Sequence, residues 1–147
     1  MKTYPFSALL SRMKYITRWS LMRSTRAESL SEHTADTALL AHTLCLIGQK
    51  CTATGKSLRP EVVATAALYH DAPEILTGDL PTPVKYKNDA LRTAYKAVEH
   101  EGARVMASLQ PAELQAETQA WLTGSLLNDA ERKLLKSVSL FDVYEGD

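Results

Sequence analysis

The chain has only two cysteines, Cys45 and Cys51, and their spacing matches neither a zinc-binding nor a disulfide-exchange pattern. A disulfide framework is thereby excluded, and the expectation is a reducing cytoplasm with buried, unreactive thiols. No run of about twenty consecutive apolar residues occurs, and the N-terminal stretch has neither a long apolar core nor a small-residue cleavage site, so neither membrane spanning nor secretion is expected. Alternating apolar and polar residues of strand length are absent as well, which removes the main signal for a sheet. Charge of one sign is also missing overall: seventeen basic residues balance seventeen acidic ones. No global field then argues for a nucleic-acid polymer or a membrane as partner.

What is present is a chain of 147 residues, long enough to close one hydrophobic core without metal or disulfide support. Charge is uneven along it. Residues 1–27 contain Lys2, Arg12, Lys14, Arg18, Arg23 and Arg26 and no Asp or Glu, a basic segment suited to an anion or to a solvated face.

The apolar periodicity is helical nearly throughout and predicts an all-α domain of about six helices. A first helix spans roughly Pro5 to Ile16. A second starts after Ser29, where Ser29-Leu30-Ser31-Glu32 fits a capping box, and runs through Ile47 until Gly48 to Gly55 loosen it. Pro60 suits the first position of a third, in which Val63, Ala66, Ala67 and His70 share one face. Pro73 should end that helix, leaving His70 and Asp71 in its last turn and a stiff loop from Thr77 to Pro83. A fourth helix from Asn88 presents Leu91, Tyr95, Val98, Val105 and Met106 as its apolar face. A short fifth follows Pro111, and Asn128-Asp129-Ala130-Glu131, a second capping-box fit, opens a sixth with Leu134, Leu135, Val138 and Phe141 inward. Ser139 and Asp142 lie on or beside that inward stripe.

The chemistry-bearing residues gather in two places. Tyr69-His70-Asp71-Ala72-Pro73-Glu74 ends the third helix, and Ser31-Glu32-His33 begins the second. Neutral imidazole nitrogens and a carboxylate oxygen are what a hydrolytic divalent metal binds, so His33, His70 and Asp71 form a candidate site. A histidine on an apolar face is more often a core residue bonded to a carbonyl. The neighbouring Glu74 and Asp79, the second histidine and the basic segment shift the balance towards a site.

These strings, with Ser11-Arg12-Met13, Thr17-Arg18-Trp19 and the long Thr77-Gly78-Asp79-Leu80-Pro81-Thr82-Pro83-Val84-Lys85-Tyr86, resemble the HD-domain metal-dependent phosphohydrolases, and among them the bacterial 5′-deoxynucleotidases. The resemblance covers about the whole chain, so residues 1–147 are expected to form one HD phosphohydrolase-like domain. The chain stops five residues after Asp142, short of the further helices of longer members, as either a natural short form or a fragment.

The resemblance implies one divalent ion (Mn, Co, Fe or Zn) on His33, His70 and Asp71, joined by an Asp from a late helix. Here Ser139 stands where that Asp is expected, and the nearest carboxylate, Asp142, comes three residues later, about 4.5 Å along a helix. It further implies Glu74 and Asp79 as catalytic carboxylates, Arg18 as the 5′-phosphate ligand, Trp19 against the deoxyribose, and Thr82 and Lys85 as additional phosphate contacts. The implied reaction is hydrolysis of 2′-deoxynucleoside 5′-monophosphates, in a cytoplasmic protein whose partner is the deoxynucleotide and which is open to homodimer formation. Two alternatives stand beside it: a deoxynucleoside triphosphate phosphohydrolase, with Arg23 and Arg26 serving a longer anionic tail, and an inactive nucleotide-binding relative in which Ser139 leaves the metal under-ligated.

Overall fold

A computed structural model describes residues 1–18, 26–78, 80 and 82–141, the last group without the side chains of Thr82, Pro83 and Phe141. Among the described residues there is no β-strand; an isolated antiparallel bridge joins Thr17 to Ser29. The six expected helices are α1 (Phe6–Leu10), α2 (Leu30–Cys51), α3 (Pro60–Tyr69), α6 (Asp89–Ala107), α7 (Ala112–Thr123) and α8 (Asp129–Phe141). Two single turns, α4 (Glu74–Thr77) and α5 (Thr82–Lys85), lie between α3 and α6, where a loop was expected over much of the stretch. Tight 3-10 turns over Ser11–Tyr15 and Thr54–Ser57 complete the order.

The helix starts follow their capping chemistry. Ser29 accepts the backbone N–H of Glu32 at the head of α2, and Asn88 accepts that of Leu91 at the head of α6. At α8 the capping box is closed in both directions: Asn128 Oδ1 accepts the Glu131 N–H at 2.9 Å, and Glu131 Oε1 accepts the Asn128 N–H at 3.0 Å. Gly124, at φ 71°, ends α7 in the left-handed conformation that glycine adopts at least cost.

Helix α2 does not loosen at Gly48 but continues to Cys51. The glycine serves approach instead: a Cβ at Gly48 would meet Leu58 Cδ1 at 2.8 Å, and one at Gly55 would meet the Gly48 carbonyl oxygen at 2.1 Å. The turn after α2 thus folds directly onto the helix, as only a missing side chain permits.

Beyond α3, bonds from Ala72 N–H to Tyr69 O and from Glu74 N–H to Asp71 O carry the chain through a tight corner. Pro73 then caps α4, a position where its missing N–H costs nothing. His70 and Asp71 accordingly sit on the corner just past α3 rather than within its last turn.

Two apolar clusters hold these pieces. One joins Ala38, Ala41 and Cys45 of α2 to Val63, Ala66 and Ala67 of α3 and to Leu135 and Val138 of α8. Alanine dominates the α2 and α3 faces, so the two axes approach closely. The other joins Phe6, Ala72, Ala103, Met106, Ala107 and Leu122. Each fully buried large side chain, such as Leu30 or Met106, contributes about 1.5–3 kcal/mol. The α6 stripe is narrower than its periodicity suggests: Tyr95 and Met106 are buried, whereas Val98 and Val105 are exposed. Cys45 is buried, and burial raises its thiol pKa, while Cys51 is exposed, against the expectation that both lie inside.

An ion pair that periodicity does not reveal ties the start of α3 to the start of α8. Glu131, fully buried, accepts the Arg59 backbone N–H at 3.0 Å and side-chain bonds from Arg59 at 3.1 and 2.7 Å. Burial opposes ionisation of Glu131, but the bonds from Arg59 and the backbone N–H groups outweigh it and hold the carboxyl below its ordinary range. Arg59 precedes α3 and Glu131 lies in the first turn of α8, so this bridge fixes α8, which carries Ser139, to α3, which leads into His70.

Candidate metal centre

Three elements converge at one point: α2, the corner after α3, and α8. His33, in the second turn of α2, is completely buried, whereas His70 and Asp71 on the corner after α3 keep about a fifth of their side-chain surface exposed. Asp71 Oδ2 lies 3.1 Å from His70 Nε2 and 3.3 Å from His33 Nε2. One donor atom from each of the three residues lies within 4.8 Å of the other two. The imidazole rings are 5.8 Å apart and tilted by 53°, so both nitrogens aim at the same space without stacking.

The protons on this trio follow from its partners. His70 Nδ1 donates to the Ala67 carbonyl, which can only accept, so Nδ1 carries a proton and Nε2 faces Asp71. That arrangement fixes the ring in the tautomer a metal-binding histidine needs. Burial favours neutral His70, but the Asp71 charge and the bonds to Asp71 and Ala67 prevail and raise its pKa. Asp71 is shifted the other way: burial alone would raise it, yet the two imidazoles hold it far below the usual carboxylate range. A group of two imidazole nitrogens and one ionised carboxylate, preorganised by a backbone carbonyl, fits a divalent cation. The set suits Mn²⁺, Fe²⁺, Co²⁺ or Zn²⁺.

Ser139 completes the ring around that space. From α8 its Oγ reaches 3.3 Å from His70 Nε2 and 3.5 Å from His33 Nε2. The inward stripe read from the sequence therefore delivers Ser139 to the centre, as a neutral hydroxyl. Asp142 lies outside the described residues.

Glu74 is buried at the start of α4, 4% exposed, and its Oε1 accepts from Lys85 Nζ at 2.9 Å. The Lys85 ammonium also lies 4.7 Å from the Tyr95 ring centroid and 3.9 Å from Glu99. Burial disfavours its charge, but Glu74 overrides this and raises its pKa. The bond to Glu74 was not foreseen, although the spacing of the two residues across a proline-rich loop was the available signal.

Arg18 is also engaged: its Nη1 lies 2.6 Å from Glu28 Oε2, and its backbone N–H bonds the Glu28 carbonyl. The bridge between Thr17 and Ser29 holds this arginine beside the start of the helix that carries His33. Glu28 went unnoticed in the sequence, though it is the first acid after the basic segment. Of the remaining candidates, Trp19, Arg23 and Asp79 lie outside the described residues, as does the side chain of Thr82. A cavity of about 720 Å³ opens on His70, Asp71 and Ser139 between α6, α7 and α8.

This fold is that of the HD-domain phosphohydrolases. A crystal structure of such a protein from Listeria innocua superposes with a TM-score of 0.80 at 23% identity, over 96% of this chain and 66% of that one. The description "5′-deoxynucleotidase YfbR-like" belongs to a family model that matches residues 5–144. The chain is 41% identical to the 5′-deoxynucleotidase YfbR of Escherichia coli O1:K1, across 98% of this chain and 71% of that protein. It is 40% identical to the 5′-deoxynucleotidase PM0747 of Pasteurella multocida, across 98% and 73%. The chain therefore belongs to the YfbR-like 5′-deoxynucleotidase family, and it spans about two-thirds to three-quarters of the length of these relatives. No described helix is long and apolar enough to cross a membrane.

Proposed function

We propose that this chain hydrolyses 2′-deoxynucleoside 5′-monophosphates to the deoxynucleoside and orthophosphate, using one divalent cation held by His33, His70 and Asp71. The observation that carries the reading is the convergence of those three donor atoms within 4.8 Å, in a chain of this family. A bound divalent ion supplies Lewis acidity and makes hydroxide available near neutral pH.

The chain's own residues supply the rest. Arg18, held by Glu28, offers the 5′-phosphate a planar fork of donors that lysine cannot copy. Glu74 orients and deprotonates the attacking water, and Lys85, which donates to that carboxylate, lines the cavity. Water adds at phosphorus, the bond from phosphorus to O5′ breaks, and a proton passes to O5′. Asp79 serves either that leaving oxygen or the 3′-hydroxyl, Trp19 packs against the sugar where a 2′-hydroxyl would stand, and Thr82 adds a phosphate contact. The protein acts in the cytoplasm, where both thiols stay reduced. The exposed Leu44 and Ile47 of α2 offer a surface for a second copy.

A second reading rests on Ser139, whose neutral oxygen stands between the two imidazoles: the chain holds nucleotides without turning them over. Phosphate release from deoxyribo- and ribonucleoside 5′-monophosphates, with Mn²⁺, Fe²⁺, Co²⁺ and Zn²⁺ added in turn, separates the two. Metal-dependent release confined to the deoxy series supports the first. Nucleotide binding with no release under any metal supports the second.

A further inference from the structure

The cavity beside the metal centre has a wall that the monophosphate reaction does not use. That wall carries Arg92, Lys96, Arg132 and Lys136, and the cavity it bounds also takes in Lys85 and the carboxylates of Asp71 and Glu99. The cations are ordered. On α6, Arg92, Lys96 and Glu99 recur at i, i+4 and i+7; on α8, Arg132, Lys136 and Ser139 recur at the same spacing. Side chains at that spacing share one face of a helix.

The α8 ladder begins at the centre, and the α6 ladder begins beside it. Ser139 touches both histidines, and Glu99 shares a smaller cavity with His70. From those points Lys136 and Lys96 lie about 4.5 Å along their helices, and Arg132 and Arg92 about 10.5 Å. Lys96 and Lys136 make no ion pair among the described residues, whereas Arg92 and Arg132 make exposed i, i+3 pairs with Asp89 and Asp129 that cost little to exchange. Ser139 itself contributes no negative charge to repel an anion.

A solvated helix face explains one basic ladder. It does not explain two, on separate helices, lining one cavity beside the metal centre. The chain carries no net charge, so the positive field is local and suits a small, multiply charged anion rather than a polymer. A single phosphate group has its place at the centre and does not reach the outer cations.

We infer that the ladders of α6 and α8 form a site for a linear di- or triphosphate chain extending from the phosphate position of the metal centre. The inference rests on the proposed function for the identity of that phosphate position. The chain bound there is either the tail of a nucleoside triphosphate or a free inorganic polyphosphate.

Isothermal titration of the full chain as isolated tests it, with metal content measured before and after and sodium tripolyphosphate, orthophosphate and 2′-deoxyadenosine 5′-triphosphate as probes. Tripolyphosphate is expected to bind at least about tenfold more tightly than orthophosphate, and to weaken as salt screens the cations. Lys96→Gln with Lys136→Gln should remove that advantage, and Lys96→Arg with Lys136→Arg should keep it; equal helicity by circular dichroism establishes that each is folded. A nucleotide binding more tightly than tripolyphosphate identifies the tail of a nucleoside triphosphate as the source, and equal affinities identify the free polyphosphate. Equal binding of tripolyphosphate and orthophosphate by the parent, or undiminished tripolyphosphate binding by the folded glutamine variant, overturns the inference. Loss of monophosphate hydrolysis with tripolyphosphate binding intact would refute the proposed function and leave the basic site standing.

Discussion

Ser139 Oγ lies 3.3 Å from His70 Nε2, although the two residues are 69 positions apart, one on α8 and the other on the corner after α3. A hydroxyl in that place is a weak neutral ligand, where a carboxylate would add charge and a firmer bond. Ser139→Asp is therefore expected to tighten Mn²⁺ or Co²⁺ by about tenfold or more, while Ser139→Ala changes little. Metal titration of the three proteins checks it. If Asp142→Asn instead lowers affinity and Ser139→Asp has no effect, Asp142 is the fourth ligand.

Glu74→Gln should retain the metal but slow turnover by about a hundredfold or more, the usual contribution of a general acid or base. Steady-state kinetics with metal analysis on the same sample distinguishes this from a structural defect. A variant with unchanged kcat would move the role to Asp79.

Arg18→Lys keeps the charge and loses the fork, so KM for the monophosphate should rise several-fold or more. Glu28→Gln should raise it less, because the arginine remains but is no longer held at 2.6 Å. Trp19→Ala should chiefly erode the preference for deoxyribose over ribose. Equal losses on both sugars would mean that Trp19 only packs.

Removing a buried, fully bonded carboxylate is costly, and Glu131→Ala should lower stability by about 3 kcal/mol, read from urea unfolding. The pH dependence follows from the lowered pKa of Glu131. Its contribution is complete above the unfolded-state value, near the ordinary glutamate range, and is lost as pH falls through the lower folded value. The parent should thus lose stability more steeply than Glu131→Ala on acidification below about pH 4.5.

Local chemistry was legible in the sequence. Ser29 with Glu32 and Asn128 with Glu131 announced two helix starts, and Val63, Ala66, Ala67 and His70 announced an inward face, because caps and periodicity depend on residues within a turn or two of one another. Pairings across the chain were not. Arg59 meets Glu131 across 72 positions, and nothing in either neighbourhood marks the other. Glu131 also read as a capping residue alone, which concealed its second role. Val98 and Val105 fit the apolar stripe of α6, yet no described helix covers them. Gly48 reads as a helix breaker because glycine disfavours helices in isolation, whereas in the fold the packing of Leu58 and Gly55 against it decides. The trio itself was legible because two of its members are adjacent and family strings flank the third. The place of Ser139 between the histidines became concrete only once α8 was packed.

The central claim is that His33, His70 and Asp71 hold the ion on which hydrolysis depends. The direct measurement is phosphate release from 2′-deoxyadenosine 5′-monophosphate by the parent and by Asp71→Ala, each with Mn²⁺ or Co²⁺ and with excess chelator, with bound metal counted by mass spectrometry. The parent should bind about one ion and release phosphate only with metal present, and Asp71→Ala should do neither. An Asp71→Ala protein that binds metal and releases phosphate like the parent would contradict the account.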